Sequence, residues 1–341
     1  MKTLDFAACF LASFAVITIV ATPVTAETKP LRQTAKIVPS GLPDLPETVT
    51  SFGGAIANDV LYVYGGHTGS AHSYSVAEQS NSFYGLSYLE DSPKWRQLPS
   101  GPRLQGLALV PAGEDVIRIG GFTAMNAEGE DQNLQSQSEV SRFDVSSGRW
   151  QTLPPLPEPR SSHDAAVLGN HVYVVGGWHL RGEEETHWHT TAWKLDLEAV
   201  DALWKPIAQP PTTRRALSLA GHDGALFAIG GMRQTGGPTT SVDVYDPKAD
   251  QWTSAPALPG AAMNGFGNAA FATGGNLYVT TIHGNALRLS ATDQTWTQIA
   301  QVDPPRFFHR MLPADDSSLL IVGGANMEEG KYTAIDRMKV D

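Results

Sequence analysis

Four segments of the chain are near copies of one another: VLYVYGG (60–66), VIRIGG (116–121), HVYVVGG (171–177) and ALFAIGG (225–231). Their glycine pairs begin at Gly65, Gly120, Gly176 and Gly230, in steps of 55, 56 and 54 residues. A fifth copy, SLLIVGG (318–324), follows a degenerate one, NLYVTTIHG (276–284). A period of this length marks one supersecondary unit used again and again, each unable to bury its apolar side without its neighbours. No other property of the chain narrows its fold as much.

Every complete unit also carries a tryptophan just after a turn: Trp95, Trp150, Trp204, Trp252 and Trp296. The β-branched and aromatic runs between these landmarks are short and bounded by Gly, Pro, Asn and Asp, which reads as four strands per unit. Sustained 3.6-residue apolar periodicity occurs nowhere after residue 26, so the chain is expected to be all-β. The glycines suit a place where a Cβ would block the chain's conformation or a close neighbour, and the tryptophan is a large wedge between sheets.

The period, the Gly-Gly strand end and the spaced tryptophan together resemble the kelch repeat. That resemblance implies a β-propeller whose blades are four-stranded antiparallel sheets. Six blades are expected, and the sixth stops without a Trp strand. TAKIVPSGLPDLPETV (34–49) aligns with GRWQTLPPLPEPRSS (148–162), so an N-terminal strand should complete the last blade and close the ring, leaving a single domain over residues 27–341.

The opening MKTLDFAACFLASFAVITIVATPVTAETKP has a lysine, an apolar run and the small-residue pattern Val24, Thr25, Ala26. It is read as a signal peptide over residues 1–26, which places the mature protein in the periplasm or outside the cell. The run is shorter than the roughly 20 residues a membrane span needs, and no later stretch qualifies. The only cysteine, Cys9, lies in that segment, so the mature chain would hold no disulfide or metal thiolate. A mature chain without cysteine also disfavours a copper radical oxidase of the galactose oxidase type, which needs a Tyr-Cys cross-link. A net charge of −11 argues against nucleic acid or an anionic membrane as the main partner.

In such a propeller the loops after the glycine pairs and those entering each inner strand open on one face, where binding residues are sought. Arg103, Arg160, Arg214 and Arg306 stand 16 or 17 residues before a glycine pair. They can tie loops together through bidentate hydrogen bonds, or form an anion site on the rim. Arg160 and Arg306 belong to the repeated elements RSSH and RFFH, whose His163 and His309 fall in opposite blades. These two are the candidate catalytic residues, expected to face each other across the channel mouth; the alternative is two packed histidines.

The richest loop is GGWHLRGEEETHWHTT (176–191). His187 and His189, two apart, share a face if extended, and with His179 form the candidate metal site; His163 or one of Glu183, Glu184 and Glu185 could complete it. No other cofactor is expected. Trp178 and Trp188 offer flat faces on which a sugar ring could stack. With His67 and His187 they join the four arginines as candidate ligand contacts.

An exported six-bladed kelch protein with Arg, His and Trp on one rim resembles the bacterial N-acetylneuraminate mutarotases. That resemblance implies a small carbohydrate or sugar acid as ligand and, for anomer exchange, proton transfer by His163 or His309 with Arg160, Arg214 or Arg306 holding a carboxylate. Two other readings stay open: a non-enzymatic scaffold for an extracytoplasmic protein or peptide, and a metal-dependent enzyme using His179, His187 and His189.

Overall fold

The strand-forming runs of each repeat pair antiparallel in the order in which they occur. In the computed structural model, which describes residues 34–292 and 294–340, blade one is built from Gly53–Ala57, Val60–His67, Gln79–Ser87 and Arg96–Leu98. The expected signal segment lies outside the described residues. Five more four-stranded sheets of this design follow, with inner strands Ala108–Ala112, Asp164–Leu168, Ser218–His222, Ala269–Thr273 and Arg310–Asp315. Each inner strand packs against the next, and the sixth returns to the first, so the sheets form a closed ring. Apart from strands, the described residues contain two 3-10 turns. No helix among them is long and apolar enough to cross a membrane.

The ring closes as the repeat alignment requires. Ala35–Pro39 pairs antiparallel with Ile335–Val340, from Ala35 opposite Val340 to Pro39 opposite Asp336, and fills the place of the missing Trp strand.

The apolar core is divided among the seams between blades. Six buried clusters each draw on two adjacent sheets, and one of them joins blade six to blade one through Leu320, Val322, Leu61 and Val63. The tryptophans fill these seams with their one donor satisfied. Nε1 of Trp95, Trp150, Trp204, Trp252 and Trp296 donates to the carbonyls of Pro43, Pro99, Pro154, Ala208 and Pro256, at 2.7 to 3.2 Å. The glycine pairs serve the same seams: a Cβ on Gly176 would lie 2.6 Å from the carbonyl oxygen of Arg214 in the next blade.

A second repeat becomes visible around the axis. Two residues before each inner strand the chain turns left-handed, at Ser51, Gly106, Ser162, Ala216, Gly267 and Phe308, with φ between 49° and 60°. The amides of Gly106, Ser162 and Ala216 each donate to the corresponding carbonyl of the preceding blade at 2.8 Å, and Phe308 does so to Gly267 at 2.9 Å. This backbone collar holds four non-glycine residues in a conformation costing roughly 1–3 kcal/mol each, which the surrounding ring must stabilise.

Candidate functional site

Three of the four rim arginines are spent on the fold. Arg160, Arg214 and Arg306 are fully buried, and Nη1 of each donates to the first glycine of its blade's pair: Gly176 at 2.8 Å, Gly230 at 2.9 Å and Gly323 at 3.3 Å. The same nitrogens also reach the carbonyls of Thr191, Ser241 and Ala334, while Nη2 pairs with Glu158, Asp243 and Asp336 respectively. Their expected role as ligand anchors is thereby corrected, because the planar fork is already committed within its own blade. Arg103 is exposed and donates to the carbonyls of Gln79 and Val76. Blade two instead buries Arg118, from its second strand, against Glu139 and the Tyr64 hydroxyl.

The two histidines do not face each other. His309 shares a 2.6 Å hydrogen bond with Thr280 of blade five, and His163 packs beside Gly120 of blade two. Burial first, with Arg306 and Arg310 adding to it, holds His309 down at about 3; burial and Arg160 hold His163 well below the usual range. Both imidazoles are therefore neutral wedges between blades at ordinary pH, which corrects the acid-base assignment.

Strand alternation explains the error. The next residues, Asp164 and Arg310, turn to the axis instead and pair across it, Oδ1 to Nη1 at 3.2 Å. Arg310 also donates from Nε to Phe52 O and from Nη2 to Leu107 O, both at 3.1 Å, and Asp164 Oδ2 accepts the Leu219 amide at 2.9 Å. One ion pair so links blades six, one, two, three and four across a channel of about 280 Å³.

On the rim, the loop after Gly177 is a hairpin, Trp178–Arg181 with Glu184–Trp188, in which Trp178 lies opposite Trp188 and His179 opposite His187. The alternation divides its residues between two sides. On one, the Trp178 and Trp188 rings meet edge to face at 5.5 Å, and the Arg215 guanidinium lies 4.0 Å from the Trp178 centroid and 5.6 Å from that of Trp188. Arg215 Nη2 contacts the Met232 sulfur at 3.2 Å, but among the described residues neither Arg215 Nε nor Trp178 Nε1 finds an acceptor. No carboxylate among the described residues lies within ion-pair distance of Arg215. Burial lowers its pKa, with Tyr74 opposing, yet a guanidinium stays charged. His67, expected as a ligand contact, is instead buried beneath Tyr74 with Nε2 2.7 Å from Ser73 O.

On the other side, His187 and His189 do share a face, with ring centroids 5.4 Å apart. Their third neighbour is Glu158: ligand atoms of Glu158, His187 and His189 lie within 4.8 Å of one another. His179 stacks on His189 at 6.5 Å and stands outside this group, so the expected triad is corrected by one member.

Sequence reasoning passed over Arg215, Glu158, Asp164 and Arg310. Each lies one or two residues from a position it singled out, and the two-residue alternation of an extended chain was the signal available for Arg215 and Arg310.

The comparisons with known proteins agree with this architecture. A family profile described as the KLHDC2/KLHL20/DRC7 Kelch-repeats domain matches residues 55–280. The chain belongs to the kelch-repeat family. Among its relatives, Kelch-like protein 36 of Bos taurus is 26% identical over 224 residues, covering 64% of this chain and 35% of that protein. Alpha-scruin of Limulus polyphemus is 25% identical over 233 residues, covering 64% and 25%. The chain thus spans a quarter to about a third of these relatives' length. The solved structure of YjhT superposes with a TM-score of 0.69 at 16% identity, covering 86% of this chain and 95% of that one, a likeness of fold.

Proposed function

We propose that the protein is an exported kelch propeller that binds, on its loop rim, a small ligand joining a carboxylate to a ring, with a sugar acid as the ligand class. The observation that carries this reading is Arg215. A half-buried cation stacked on tryptophan, with no carboxylate within ion-pair distance among the described residues where Arg118, Arg160, Arg214 and Arg306 each have one, is costly to keep for the fold alone. A ligand carboxylate would pair with the Arg215 guanidinium, and the Trp178–Trp188 pair beside it would pack against the ring. His163 and His309 leave the proposal as proton carriers, so it is one of binding, with no turnover assigned to them. The test is calorimetric titration of N-acetylneuraminate and glucuronate into the mature chain, beside Arg215→Met and Arg103→Met. Binding weakened at least about tenfold by the first variant alone is expected; no heat from either acid would remove the sugar-acid reading.

A second reading is favoured by a different observation. Among the exposed large apolar side chains, Val76, Met125, Met263 and Met327 all lie on loops of the collar face. Exposed methionines suit an adaptable protein-contact surface, so a peptide with a terminal carboxylate is the alternative occupant of the same rim. Capture of such a peptide without sugar-acid binding would decide for it.

A further inference from the structure

Behind the rim tryptophans, on the opposite side of the same hairpin, lies a set of donors that the anion-binding reading does not use. His189 is buried, and its Nε2 lies 2.9 Å from the carbonyl oxygen of Pro159. A carbonyl only accepts, so that ring nitrogen carries the hydrogen and Nδ1 presents a lone pair. Nδ1 is buried and has no hydrogen-bond partner among the described residues, yet it stands 3.7 Å from Glu158 Oε2. A cation placed between a lone pair and a carboxylate at that distance would be attracted to both. The third member, His187, is exposed and completes the group from the edge of the hairpin.

The geometry points to a divalent transition-metal ion, of the zinc type, bound by Glu158, His187 and His189 with a further position open to solvent. Two imidazoles and a carboxylate form a donor set that such ions accept, at metal-ligand distances of about 2.0–2.2 Å. Tetrahedral geometry at those lengths sets donor atoms about 3.3–3.6 Å apart. The His189 Nδ1–Glu158 Oε2 pair, at 3.7 Å, already approaches that spacing, and the exposed His187 can move in to meet it.

The surroundings also match those of ligating groups. The Pro159 carbonyl orients His189, and Glu158 Oε2 accepts from the Thr191 hydroxyl at 2.5 Å, Arg160 Nη2 at 3.2 Å and Trp193 Nε1 at 3.4 Å, which leaves Oε1 without a donor among the described residues and open to an ion. Such outer contacts fix ligand orientation before the ion arrives. Bound there, the ion would fasten the hairpin bearing Trp178 and Trp188 to the loop that leads into Arg160. The inference is independent of what occupies the rim.

The test uses the full mature chain, stripped with chelator, dialysed and titrated with zinc chloride by calorimetry, with metal content measured after dialysis. One zinc per chain is expected. His187→Ala, a change at an exposed position, should weaken binding at least about tenfold, whereas His179→Ala should change it less than about twofold. Fewer than about 0.2 equivalents per chain, or a His187→Ala protein that binds zinc as tightly as its parent, would overturn the assignment. So would a His179→Ala protein that loses zinc as His187→Ala is expected to.

Discussion

Two arginines near the collar show opposite uses of the same side chain. Arg310, on the axis, has its guanidinium filled by the Asp164 carboxylate and by the carbonyls of Phe52 and Leu107. Arg215, on the rim, lies over Trp178 and touches Met232, with no oxygen acceptor among the described residues. The first ties the ring together. The second is a charge the ring leaves without a carboxylate, and an unpaired cation is where a ligand anion can add binding energy that the fold has left unused.

The contrast can be broken most forcefully at the axis. Arg310→Met leaves Asp164 partly buried without its cation and removes two further interblade hydrogen bonds, so it should cost about 3 kcal/mol in urea unfolding. A loss below about 1 kcal/mol would mean that the pair is no strut.

A second effect, spread over several pH units, is expected from acid. His309 is held at about 3 in the folded chain and returns to about 6.5 when unfolded, so between those values the unfolded state binds the extra proton. Stability from this group is complete above about pH 6.5 and falls as the pH drops toward 3, by roughly 1–2 kcal/mol per pH unit. His309→Asn should flatten that part of the stability profile. An unchanged slope would show that His309 titrates normally and is not a neutral wedge.

The fold was legible because its signals repeat. A step of 54 to 56 residues, a glycine pair and a spaced tryptophan each recur, and one local exception, the missing Trp strand, pointed to its replacement at Ala35–Pro39. The site was legible only in address. GGWHLRGEEETHWHTT was correctly placed on the rim as an element carrying Trp178 and Trp188, but direction was not legible. Arg214 and Arg215 are neighbours, and the alternation of an extended chain sends one into its own blade and the other over the tryptophans. The same one-residue phase exchanged His163 for Asp164 and His309 for Arg310 at the axis. Nor does sequence distance show that Glu158 meets His189, since that contact joins a loop entering blade three to a hairpin leaving its second strand. The collar was hidden for a different reason: Ser51, Ser162, Ala216 and Phe308 share a backbone conformation and no common side chain.

The smallest stability change belongs to the rim. Arg215→Met should be measured for unfolding free energy and for binding of a sugar acid or a peptide carboxylate in the same preparation. Stability within about 0.5 kcal/mol of the parent, or slightly above it, together with at least about tenfold weaker binding, is the expected result. A variant destabilised by more than about 2 kcal/mol that still binds as its parent does would make Arg215 one more strut of the ring, with no part in binding.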